Sequence, residues 1–137
     1  MRGVYVLVVS VGGPACLKVG ALGRVSFING LYAYVGSGQV GLQKRVARHL
    51  RKDKKRFWHI DYLLGSSVAS IVGVFWKEGE RSEECHMARV LGGRGAPVAG
   101  FGCSDCRCRS HLFWIRSYRF LGESMRELRL NRIRGVR

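Results

Sequence analysis

The sequence predicts a small α/β domain of the α+β type, a short mixed or antiparallel sheet flanked by helices. Three observations predict it. The chain has 137 residues, enough to bury one core and too few for two. Apolar residues make up 47%, an ordinary globular share that excludes wholesale disorder. Strand-like runs and helical repeats both occur, but they alternate too irregularly for a doubly wound sheet.

Residues 3–11 (GVYVLVVSV) are β-branched and aromatic and predict a buried strand. Gly12-Gly13-Pro14 marks a turn, and residues 16–19 predict a short hairpin strand. Residues 31–36 (LYAYVG) predict the next strand, closed by Gly36-Ser37-Gly38. From 39 to about 52 the period changes. Leu42, Val46 and Leu50 fall four apart, with Lys44, Arg45, Arg48, Arg51 and Lys52 between them, an amphipathic helix with a basic outer face. Residues 68–76 (VASIVGVFW) predict a strand in which Gly73 marks a bulge or a close backbone approach. Residues 80–91 predict a helix with Ser82 at its N-cap, Glu83 and Glu84 in its first turn, and Gly92-Gly93 as its stop. A Gly-rich loop over 92–102, a strand over 111–115 and an Arg-studded helix or tail over 118–133 complete the reading.

Charge narrows the partners. Lys plus Arg number 24 against 9 acidic residues, a formal net charge of +15. Self-repulsion on that scale is relieved by a polyanion, and DNA is the expected partner, with RNA as the other candidate. Residues 44–56 carry eight Lys or Arg and a single acid, Asp53, and run directly into Phe57-Trp58-His59. The residues assigned to nucleic-acid binding are Lys44, Arg48, Arg51, Lys52, Lys54, Lys55, Arg56 and His59. A basic block can equally be a solvated face, and His59 with Asp61 and Tyr62 can equally be a helix start with Trp58, Tyr62 and Leu63 packed inward. No apolar stretch is long enough to span a bilayer and no signal-peptide pattern is visible, so the expectation is a soluble, cytoplasmic protein without a membrane partner.

A phosphodiesterase needs a carboxylate to hold a hard divalent ion, a cation to stabilise charge on phosphorus, and a group that orients or deprotonates water. Tyr5 and Tyr34 on two predicted strands, Arg45 and His49 four apart on one helix face, and Glu84 on a later helix offer each role. Each also has an ordinary alternative, strand packing for the tyrosines and helix-terminus electrostatics for Glu83 and Glu84.

Gly3-Val4-Tyr5, then Tyr34-Val35-Gly36, then Leu42, Arg45 and His49 in a helix resemble the motif of the GIY-YIG nucleases. The stretches YAYVGSG, RVARHL, WHIDYLL and GFGCSDCRCRSHLF resemble an archaeal-type branch of that superfamily. The resemblance covers roughly 3–115, within a domain set at 1–115, and leaves 116–137, with seven arginines, as a basic C-terminal extension packed on or trailing the same domain. It implies a three-stranded, mainly antiparallel sheet flanked by helices, with an extra hairpin around 16–27. It also implies the roles: Tyr5 helping to activate water, Tyr34 assisting through its hydroxyl, Arg45 stabilising the transition state, His49 in the proton network, and Glu84 holding one Mg²⁺ or Mn²⁺. The sequence departs from the pattern in its longer first spacing and in the absence of an Asn soon after the glutamate, Asn131 being the one Asn beyond it. The expected activity is metal-dependent hydrolysis of DNA phosphodiester bonds, structure- or lesion-selective and suited to DNA repair or processing; the alternative is a non-catalytic DNA- or RNA-binding module on the same scaffold.

Cys103-x-x-Cys106-x-Cys108-x-x-His111 has the ligand types of a zinc site, with Asp105 as a further donor. Cys-x-Cys is tight for one tetrahedral ion, and a local disulfide, including one from Cys85, is the competing reading. The odd count of five cysteines argues against a secreted disulfide framework. The glycines of 92–102 lack the Gly-Lys-Ser/Thr ending of a phosphate-binding loop.

Overall fold

The computed structural model describes residues 2–103 and 106–130. In chain order these form β1 (Gly3–Val11), β2 (Ala15–Lys18), β3 (Arg24–Phe27), β4 (Gly30–Gly38), α1 (Leu42–Leu50), α2 (His59–Leu64), β5 (Ala69–Glu78), α3 (Ser82–Gly92), β6 (Gly95–Pro97), β7 (Leu112–Ile115), α4 (Leu121–Ser124) and β8 (Arg126–Glu127). The α+β class holds. The sheet, however, has six strands in the order β6-β7-β4-β1-β5-β8 rather than three, and every pairing is antiparallel. Its three long strands, β4, β1 and β5, are the central ones. Of the added strands, β7 is the strand predicted over 111–115, whereas β6 and β8 have three and two residues, too short to display a period-two pattern, and β6 lies inside the segment that the sequence assigns to a Gly-rich loop. β2 and β3 form the separate hairpin expected around 16–27.

β1 reads as an unbroken apolar run because both of its faces are covered. Tyr5, Leu7, Val9 and Val11 join one core with Val46 of α1, Ile60 and Leu63 of α2, and Phe27 of the hairpin. Val4, Val6 and Val8 join another with Met87, Ala88 and Leu91 of α3 and Leu121 of α4. The domain is therefore a helix–sheet–helix sandwich in which alternate residues of one strand serve two cores. The register of β1 on β5 slips between Val8, opposite Gly73, and Val9, opposite Ile71, so the irregularity anticipated at Gly73 falls there.

Helix bounds shift where local chemistry decides them. α1 starts at Leu42, three residues later than the periodicity suggests, because Gly41 sits at its N-cap with φ +77°, a left-handed conformation that glycine adopts without strain. Arg81 rather than Ser82 is the N-cap of α3, and no side chain caps that end. Of the helix or tail expected over 118–133, the described part holds one helical turn, since Met125 adopts extended backbone and Arg126 and Glu127 pair with Trp76 and Phe75 of β5. Residues 131–133 of that expectation lie outside the described residues. Among the described residues no helix is long and apolar enough to cross a membrane.

One end of the sheet concerns function. There β1 begins and β4 and β5 end, with Gly3 opposite both Gly38 and Glu78. The links to α1 and α3 leave from this same end, so the first turns of helices packed on opposite faces approach each other around it.

Candidate active site and cysteine cluster

A cleft of about 590 Å³ opens at that sheet end. Tyr5, Tyr34, Arg45 and Glu84 line it, together with Ser37, Gln39, Trp58 and His59. His49 stands behind the lining, buried, with its Nε2 2.6 Å from the Tyr5 hydroxyl. The five side chains assigned to catalysis thus meet at one place although they come from two strands and two helices. Glu84 reaches the cleft despite the position of α3 on the other face of the sheet, because it sits in the first turn of that helix.

Each group is held by identifiable contacts. Tyr5 lies directly opposite Gly36, and a Cβ at Gly36 would come within 2.5 Å of the Tyr5 hydroxyl oxygen. Glycine is required there because the tyrosine ring occupies the space of its side chain. Burial, and then the neighbouring Tyr34, push the Tyr5 hydroxyl well above its ordinary value, so it is a neutral donor and acceptor and not a phenolate. Burial likewise depresses His49 to about 3, which makes it a neutral imidazole near pH 7. Its Nδ1 is buried without a hydrogen-bond partner among the described residues. Tyr34 packs edge-on to His49, ring centroids 6.1 Å apart.

Arg45 donates from Nη1 to the Ser37 carbonyl at 2.9 Å and lies 4.9 Å from the Trp58 ring centre. Glu84 accepts from His111 Nδ1 at 3.1 Å. Burial pushes the Glu84 carboxyl up, but hydrogen bonds from His111 and Ser37 outweigh it and hold the group below the usual carboxylate range. A carboxylate offers about four lone-pair positions. The bonds from His111 and Ser37 leave acceptor capacity on a side chain that lines the cleft, so the donor fits a hard divalent cation completed by phosphate oxygens and water.

The basic block divides into two classes. Arg48 makes a bidentate ion pair with the buried Asp61, Nη1 to Oδ1 and Nη2 to Oδ2 both at 3.0 Å, and stacks 4.4 Å from the Trp58 ring centre. Asp61 Oδ2 also accepts the backbone N–H groups of Phe57 and Trp58 at 2.8 and 2.9 Å. Lys52 donates to the carbonyls of Leu64 and Ala69, and Lys54 to those of His49 and Arg51. All three cations have internal partners, and Arg48, through Trp58, supports the cleft wall. Lys44, Arg51, Lys55 and Arg56 remain on the exposed face. His59 lines the cleft, its Nδ1 accepting from the Gly102 N–H at 2.8 Å, and burial lowers its pKa.

Several residues of the site escape motif reasoning. Trp58 touches His49, Arg45 and Arg48 through its ring. The amide nitrogen of Gln39 is buried at the cleft wall without a partner among the described residues. Phe57 is 78% and Val40 97% exposed although both line the cleft. An aromatic directly after a basic block is a sequence signal for Phe57; nothing in the sequence distinguishes Gln39.

The cysteine cluster also differs in membership from its sequence assignment. The side chains that converge are Cys85, Cys106, Cys108 and His111, all ligand atoms lying within 4.8 Å of one another, while Cys103 stands outside this set. Cys85 comes from α3, distant in sequence from the dense Cys motif, and only folding brings it in. Burial, with Cys85 and Cys106 as neighbours, pushes the Cys108 thiol up. Three sulfurs and one imidazole make a donor set that can hold a metal ion and suits zinc better than Mg²⁺ or Mn²⁺.

No curated protein and no solved structure matches this chain. One family profile does, over residues 4–132. That match continues past residue 115 and takes in β8, in keeping with the pairing of β8 on the central sheet. The chain belongs to the family described as Domain of unknown function DUF123.

Proposed function

We propose that this protein is a divalent-metal-dependent endonuclease of the GIY-YIG type that hydrolyses phosphodiester bonds in DNA. The observation that carries the reading is the convergence of Tyr5, Tyr34, Arg45 and Glu84 on one cleft, with His49 hydrogen-bonded behind Tyr5.

A scissile phosphate in this cleft meets Arg45, whose guanidinium is fixed by the Ser37 carbonyl and by Trp58 and is a natural partner for equatorial phosphate oxygens. Tyr5 Oη orients the attacking water and accepts its proton while its own proton passes to His49 Nε2. That transfer needs the His49 tautomer with hydrogen on Nδ1, the nitrogen left without a partner. A buried unpaired N–H is a cost of the kind active sites retain. Burial disfavours the resulting imidazolium, and the incoming phosphate charge favours it. Tyr34, beside Tyr5, steadies the water or the leaving oxygen. Glu84 would hold Mg²⁺ or Mn²⁺, which when bound supplies Lewis-acid stabilisation of the phosphate charge. The exposed cations Lys44, Arg51, Lys55 and Arg56 hold the flanking backbone, and Phe57 and Val40 at the cleft offer apolar contact to bases opened at a branch or lesion, which fits repair or processing substrates.

The bond from His111 to Glu84 favours a second reading, a DNA- or RNA-binding module that does not cut, because it engages the carboxylate internally. A nicking assay on branched, abasic and plain substrates separates the two. The hydrolytic reading expects Mg²⁺- or Mn²⁺-dependent nicking that Glu84→Ala and Arg45→Ala lower by at least about a hundredfold, with DNA affinity kept in Glu84→Ala. Salt-sensitive binding without incision on every substrate would establish the binding module instead.

A further inference from the structure

The hydrolytic chemistry leaves three thiols unused beside the cleft. We propose that Cys85, Cys106, Cys108 and His111 hold one zinc ion, and that this centre fixes the Glu84 carboxylate through its histidine ligand. The zinc site stands independently of the nuclease reading; its consequence for cleavage rests on that reading.

The geometry is that of a mononuclear site. With Zn–S near 2.3 Å and Zn–N near 2.0–2.1 Å, the edges of a tetrahedral site are about 3.4–3.8 Å. Cys106 Sγ lies 3.4 Å from His111 Nε2, and all four donors lie within 4.8 Å of each other, so small rotations of the thiols close the shell. Donors this close surround one ion and leave no room for the bridged irons of an iron–sulfur cluster. Thiolates also select against Mg²⁺ and Mn²⁺. A disulfide between any two of the cysteines would leave a third thiol and the imidazole unused.

His111 carries the second half of the inference. Its Nδ1 is 3.1 Å from Glu84 and its Nε2 faces Cys106. A proton donated from Nδ1 to the carboxylate leaves the Nε2 lone pair directed at the thiols, the orientation that a carboxylate-bonded histidine ligand adopts. Glu84 and Cys85 are adjacent in the first turn of α3, so the ion would staple this turn to the segment before β7 at two points, through sulfur and through the histidine–carboxylate bond. The cluster also explains how a tight Cys-x-Cys pair becomes usable, because the ligand that completes the shell comes from α3.

The full chain, purified with reductant and without added chelator, is expected to contain stoichiometric zinc by elemental analysis. Cys85→Ser and Cys108→Ser should lose it, and Cys103→Ser should keep it. Reconstitution with Co²⁺ should give wild-type protein the intense thiolate-to-metal bands and the d–d bands of a tetrahedral site, which decides the matter even if a cysteine variant fails to fold. In competition with a chromophoric chelator, Glu84→Gln should bind zinc about 10–100-fold more weakly. Absent zinc together with featureless cobalt spectra would overturn the site, and retention in Cys85→Ser with loss in Cys103→Ser would overturn its ligand set. Unchanged zinc affinity in Glu84→Gln would overturn the link to the cleft. None of these readouts depends on DNA cleavage, so their failure and that of the nuclease reading are separable.

Discussion

The hydroxyl of Tyr5, on the first strand, and Nε2 of His49, on the first helix, lie 2.6 Å apart, both side chains almost wholly buried at the back of the cleft. The pair has a thermodynamic signature. Burial lowers His49 to about 3 in the folded chain, against about 6.5 when unfolded. Between these values the unfolded state binds the extra proton, so stability rises with pH over that window. It is fully present above about pH 6.5 and is lost as pH falls toward 3. At about 1.4 kcal/mol per pH unit the loss amounts to several kcal/mol at most. Urea unfolding from pH 4 to 7 should show this slope in wild type and a flatter one in His49→Gln; equal slopes would mean that the imidazole titrates normally.

Gly36→Ala tests the seat of the same tyrosine. The new Cβ would stand 2.5 Å from the Tyr5 oxygen and 2.6 Å from its Cζ, so the ring must move and the His49 bond must break. The expected cost is about 1–3 kcal/mol by denaturant unfolding. Nicking should fall, as is also expected for Tyr5→Phe, whereas full stability in Gly36→Ala would show that the ring has room to adjust.

Much of this was legible in the sequence, and the exceptions share a cause. Tyr5, Tyr34, Arg45, His49 and Glu84 stand out by type and order, and they do meet at one sheet end. The helix α1 and the three long strands follow from periodicity. Strands of two or three residues carry too little period to read, which is why the sequence does not reveal β6 and β8. Cys85 joins the thiol cluster only because α3 crosses the far face of the sheet, a long-range contact that local spacing does not encode. Arg48, Lys52 and Lys54 resemble their exposed neighbours in sequence. Their internal partners, Asp61 and five backbone carbonyls, are fixed by tertiary placement.

Asp61 should prove structural. It is 1% exposed, and it accepts two bonds from Arg48 and two from backbone N–H groups. Burial pushes its carboxyl up, yet Arg48 and the Trp58 and Phe57 N–H groups outweigh this and hold it below its ordinary value. Asp61→Ala leaves a part-buried guanidinium without its counter-charge, with only the Lys55 carbonyl as acceptor, and two amides unpaired, at a cost of roughly 3–5 kcal/mol. Arg48→Lys should recover little of the bidentate geometry and lower the thermal midpoint as well. A midpoint unchanged in both variants would contradict the strut role.

Gln39 and Phe57 should act on binding. Gln39→Leu removes an unpartnered amide donor at the cleft wall, so it should leave stability unchanged or raised while weakening DNA affinity about tenfold, the value of a hydrogen bond to a charged phosphate. Phe57→Ala removes an exposed ring and should weaken binding to substrates with unpaired bases by about 1–3 kcal/mol, with a smaller loss on plain duplex. Fluorescence anisotropy on both substrates measures each effect; equal losses on both would argue against base contact by Phe57.

The cations of residues 44–56 should separate by function because they separate by partner. Lys44, Arg51, Lys55 and Arg56 are exposed and so is Lys52, but the Lys52 and Lys54 ammonium groups donate to backbone carbonyls. An exposed cation on duplex DNA releases condensed counterions, so each one removed should lower the slope of log affinity against log salt by about 0.9 without altering stability. Lys44→Ala and Lys55→Ala together should therefore reduce the slope by nearly two. Lys54→Ala should behave differently: it uncaps the His49 carbonyl at the end of α1 and frees the segment behind Tyr5. A loss of about 1 kcal/mol in unfolding free energy is expected there, with a smaller change in salt slope than the exposed lysines give. If Lys54→Ala instead lowered the slope as much as Lys44→Ala and left stability untouched, its ammonium would be serving DNA rather than the helix end, and the division of the basic block would have to be redrawn.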